Sequence, residues 1–110
     1  MSKVGIDHPT SLDLVTMNEL EVRLVLVENR ALADADAPAL QEKLNNYLSY
    51  ALDGGLEAGY PEAIHKRVIL RLDFYARPSA FISQFIDRFR QAVADHNVQV
   101  ELSIEGIPVA

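Results

Sequence analysis

The sequence predicts an α/β domain with the element order β-β-α-β-α-β, a four-stranded mixed sheet in spatial order 1-2-3-4, and two helices packed on one face. Three observations lead there. Four segments alternate apolar and polar residues, two others carry apolar stripes at helical spacing, and the last two strands keep polar groups at nearly every second position. Strands covered on both faces read as continuous apolar runs, so this alternation leaves one sheet face open. Successive strand–helix–strand crossovers are right-handed, and two of them stepping the same way put both helices on the same side.

The elements follow in order. Residues 1–11 hold Gly5, Asp7, Pro9 and Thr10 with only Val4 and Ile6 as apolar anchors, which predicts a flexible arm ahead of a single domain over 12–110. Residues 12–17 read as a strand and Asn18-Glu19 as a turn. Residues 21–28 read as the partner strand, with Val22, Leu24 and Leu26 on one side. Asp34 and Asp36 ahead of Pro38 predict a helix start. Leu40, Leu44, Tyr47, Leu48 and Ala51 then share an arc of about 100° on a helical wheel. Gly54-Gly55 ends that helix, and residues 57–66 read as a connecting loop. Residues 67–75 alternate Val68, Leu70, Leu72 and Phe74 against Ile69, Arg71, Asp73 and Tyr75. Ser79 caps a second helix with a stripe of Phe81, Ile82, Phe85, Ile86, Phe89, Ala92 and Val93, which Asn97 ends. Val98, Val100, Leu102 and Ile104 mark the last strand, and residues 106–110 form a tail.

Composition limits the chemistry. The 110 residues contain no cysteine, which excludes disulfides, thiolate catalysis and zinc–thiolate sites. Sixteen acidic against ten basic residues give a net charge of −6. That is the wrong sign for a nucleic-acid backbone or an anionic bilayer, so neither is expected as a partner. No apolar run approaches the ~20 residues of a membrane helix and no basic-then-apolar leader is present, so the expected location is cytoplasmic. The five glycines form neither a phosphate loop nor a dinucleotide fingerprint, and no cofactor is expected.

Candidate residues reduce to a few. His8, His65 and His96 lie in separate segments without metal-ligand spacing, and His96 suits the last turn of a helix. Asp34 and Asp36 lack the glycine and closing glutamate of a calcium loop. None of Ser2, Ser11, Ser49, Ser79 and Ser103 has the flanking glycines of a nucleophile elbow. No catalytic and no metal-binding residue is assigned, and the chain reads as non-enzymatic. Tyr47, in the middle of an apolar stripe, needs a partner for its hydroxyl. Arg71 and Asp73, on the open side of a central strand, fit a charged cluster with Arg23 and Glu101. Val25, Val27, Ile69 and Tyr75 share that open side and form the candidate interface of a homodimer, which an edge strand could equally provide.

The stretches at residues 41–54 (QEKLNNYLSYALDG), Tyr60-Pro61-Glu62 and residues 68–73 (VILRLD), with the Leu12-Asp13-Leu14-Val15 start, resemble a family of small bacterial proteins known only as a domain of unknown function. The likeness covers most of residues 12–104 and implies a bacterial, soluble, stand-alone module without catalytic residues to carry over. The function expected from the residues is a small acidic module that self-associates and binds protein. One version is an immunity- or antitoxin-like partner of a basic protein, brought together by opposite charge. The alternative is a small-molecule binder or weak enzyme with a pocket between Tyr47, Tyr60, Glu62 and the sheet end, drawing on Arg71 and Asp73.

Overall fold

A computed structural model of the chain describes residues 5–6 and 12–109. Five strands lie in the order β1-β2-β3-β4-β5: β1 Leu14–Met17, β2 Glu21–Glu28, β3 Arg67–Phe74, β4 Val98–Ile104 and β5 Ile107–Pro108. The first and last pairings are antiparallel hairpins and the two central ones are parallel, so the sheet is mixed. Among the described residues three α-helices accompany it: α1 Ala37–Leu52, the single turn α2 Gly55–Gly59, and α3 Ala80–Val93.

The strand order is the expected one with a fifth strand added, which corrects the four-stranded reading. The tail folds back through Glu105 (φ 53°) and Gly106 (φ 81°), two consecutive left-handed residues as a tight hairpin turn requires. Glutamate is an unusual residue for that conformation, so the turn carried only half its usual signal. Pro108 is tolerated because β5 is an edge strand.

Leu24, Leu26, Leu70, Leu72, Phe74 and the even-numbered residues of β4 join Leu40, Leu44 and Tyr47 of α1 and Ile82, Ile86 and Val93 of α3 in one buried cluster. Both long helices therefore contribute to a core built on the same alternating positions of the sheet. The Ser79 hydroxyl accepts from the Ile82 amide at 3.3 Å, the expected cap of α3, and Asn97 (φ 59°) closes the short 3₁₀ turn after it.

Two further readings change. Residues 57–66 are not a plain loop, because α2 and a 3₁₀ turn at Pro61–Ala63 occupy them. A Cβ on Gly55 would sit 2.8 Å from the Tyr50 ring and one on Gly59 2.8 Å from its hydroxyl, so a side chain at either position would force Tyr50 to shift. Asp36 precedes α1 without bonding into it. Its carboxylate instead accepts from the Ala33 amide and takes both terminal nitrogens of Arg30 at 3.0 Å. The arm expected over residues 1–11 falls mostly outside the described residues. Its two described members are packed, with Ile6 in the core cluster and Gly5 in a buried polar network.

Candidate functional site

The side of the sheet opposite the helices is built by alternation. Register places Thr16, Arg23, Ile69 and Gln99 in one row, Leu14, Val25, Arg71 and Glu101 in the next, and Val27, Asp73, Ser103 and Pro108 in a third. The Arg23 guanidinium donates to Glu101 through Nε at 2.9 Å and a terminal nitrogen at 3.2 Å, and also reaches Glu21 at 3.2 Å. Arg71 donates from Nε to Asp73 at 3.2 Å. Arg23 is level with Ile69 and Glu101 with Arg71, so their bridge runs from β2 to β4 diagonally across β3. The charged cluster anticipated from Arg23, Arg71, Asp73 and Glu101 thus exists as two ion pairs, one bridging β2 and β4 and one within β3. A shallow cavity of about 200 Å³ between Arg23, Arg71, Ser103 and Pro108 opens on the same side.

These pairs change what the candidate interface offers. Val25 and Ile69 face this side but are only 2% and 1% exposed. Val27 is half-buried, while Tyr75, just past the end of β3, is 62% exposed. The surface is therefore a polar platform of arginine and carboxylate over an apolar floor, with tyrosine and Leu14 at its rim.

The electrostatics have a pH consequence. Chiefly through its hydrogen bonds to Arg23, the Glu101 carboxyl is held below the usual carboxylate range. A depressed carboxyl contributes stability that is fully present above its unfolded value and is lost as pH falls through the folded one. Glu101→Gln should therefore lose less stability than the wild type between about pH 5 and pH 3 in urea melts. Equal losses would mean that the bridge does not favour the ionised form.

The pocket anticipated around Tyr47 is not assembled. The Tyr47 hydroxyl donates to the Val25 carbonyl at 3.1 Å and accepts from the Asp13 amide at 2.9 Å, and burial raises its phenol above the ordinary value. Tyr60 closes α2 half-buried and Glu62 is exposed on the following turn. Arg71 and Asp73 project from the other side of the sheet, so the five residues do not converge.

A feature outside the anticipated set sits beside Tyr47. The Lys43 ammonium pairs with Asp13 Oδ1 at 2.5 Å, and both side chains are 0% exposed. The same ammonium donates to the Gly5 carbonyl and stands 5.8 Å above the Tyr47 ring. Asp13 Oδ2 accepts from the Gly5 and Val27 amides at 2.9 Å each, and Glu28 accepts from the Ile6 amide at 3.0 Å. The network ties residues 5–6 to β2 and α1, and it holds no group open to solvent chemistry. Its signal was only partly legible: on a helical wheel Lys43 lies about 40° beyond Tyr47, at the edge of the apolar arc, where a lysine turned toward the core needs a partner.

Among the described residues no group of three or more His, Asp or Glu side chains is placed to hold a metal ion, and no helix is long and apolar enough to cross a membrane. Comparison with known proteins gives one result. Residues 4–106 match a family described as "Family of unknown function (DUF6572)". No curated protein and no solved structure matches the chain.

Proposed function

Since the chain belongs to the DUF6572 family, which brings no activity to borrow, we propose from its own residues that it is a non-enzymatic interaction module. It self-associates through the open sheet face. One observation carries the reading: the uncovered face presents both charge signs from fixed positions, with Arg23 and Arg71 against Asp73 and Glu101. A two-fold interface places one patch against its own copy, so a surface of mixed sign complements itself, whereas a surface of one sign repels. Arginine and tyrosine are the residue types enriched in such contacts, and Arg71 and Tyr75 stand at the centre and rim.

Light scattering after size exclusion, over a concentration series, tests the reading. A dimer is expected, and Arg71→Glu or Tyr75→Asp should return it to monomer with an unchanged circular dichroism spectrum. A monomer at every concentration overturns self-association, and so does a dimer indifferent to both substitutions.

A further inference from the structure

A second surface lies at the end of the sheet where β2, β3 and β4 begin. There an open cleft of about 840 Å³ lies. Its walls include Leu20 and Leu52, two leucines left substantially exposed, and His65, Lys66, Arg67 and His96. In a chain of net charge −6 this concentration of basic groups is anomalous. Among the described residues that line it Glu21 is the one carboxylate, and it is shared between Arg23 at 3.2 Å and Arg67 at 3.7 Å. The Lys66 ammonium donates to the Asn18 carbonyl, which fixes its position without neutralising its charge.

Among the described residues three that are not glycine have positive φ, and two of them, His65 (67°) and Asn97 (59°), line this cleft. Each sits in the turn leading into one of two neighbouring strands, β3 and β4, whose axes run about 4.8 Å apart. The two histidine-bearing turns are thereby set side by side, and a left-handed histidine is a local conformation that the surrounding structure must hold.

We propose that this cleft binds a small amphipathic anion, its carboxylate or phosphate head held by Lys66, Arg67 and His96 and its apolar body lying on Leu20 and Leu52. This site does not depend on self-association. The test is an amide-shift titration of the ¹⁵N-labelled protein with four probes below micelle-forming concentrations: octanoate, octyl phosphate, inorganic phosphate and octyl glucoside. Saturable shifts at Val68, Val98 and Gln99 are expected with octanoate or octyl phosphate, and the tighter of the two identifies the head group. Octyl glucoside should bind about tenfold more weakly, as should the anions to Arg67→Glu, because each comparison removes or opposes the charged contact. Leu20→Ser should weaken octyl phosphate but not inorganic phosphate. The proposal is overturned by octyl glucoside binding as well as the anions, by an affinity that Arg67→Glu leaves unchanged, or by shifts that do not saturate or fall elsewhere. Inorganic phosphate matching octyl phosphate removes the apolar half of the assignment and so overturns it as stated.

Discussion

Lys43→Met should destabilise the protein by about 3–5 kcal/mol, because it strands the Asp13 carboxylate in the interior without its counter-charge. Methionine keeps the length and apolar stem of lysine, so packing changes little and the loss is electrostatic. Asp13 would retain the Gly5 and Val27 amides as donors, while the Gly5 carbonyl would lose its ammonium donor. Two charges taken out of water together cost far less than one left alone, so Lys43→Met combined with Asp13→Asn should recover part of the loss. Urea unfolding of both variants measures this. A single-variant effect below about 1 kcal/mol would place the pair in contact with water, against its complete burial here. The network also predicts where the loss appears first: amide exchange of Ile6 and Val27 should quicken in Lys43→Met before that of β3.

Phe74→Ala should cost about 3–5 kcal/mol, whereas Tyr75→Ala, one residue later, should cost less than about 0.5 kcal/mol. The two are adjacent in sequence and both aromatic. They differ because successive side chains of an extended segment point to opposite sides. Phe74 is 1% exposed in the helix-side core and Tyr75 stands in solvent. Truncating the first leaves a cavity beside Leu26 and Leu72 that a rigid sheet cannot fill by collapse, while truncating the second removes little buried area. Comparable losses at both positions in thermal or urea melts would contradict a buried Phe74 beside an exposed Tyr75.

The largest elements were readable from local pattern. Strands at 21–28, near 67–75 and at 98–104 declared themselves by alternation, and the two long helices by their stripes and by Ser79, Pro38 and Asn97. The arginine–carboxylate pairs on the open face were readable as well, because residues two apart on a strand share a side and neighbouring strands bring such sides together. The fifth strand and α2 were not. Each is five residues or fewer, too short for any period to register, and each depends on a partner already in place: β4 for Ile107–Pro108, and the Tyr50 ring for Gly55 and Gly59.

By itself, then, the sequence determined the α/β class, the strand order from 1 to 4 and which side of each strand is apolar, because periodicity and handedness act within one element or between consecutive ones. The tertiary structure alone decided what lies beneath and between them. It buried Val25 and Ile69 in register with Arg71 and Arg23, buried Lys43 against an aspartate thirty residues away, and gathered His65, Lys66, Arg67 and His96 around one cleft. Those outcomes depend on distances between segments remote in sequence. Such distances are set only when loop-closure entropy is overcome by the packing of the whole core.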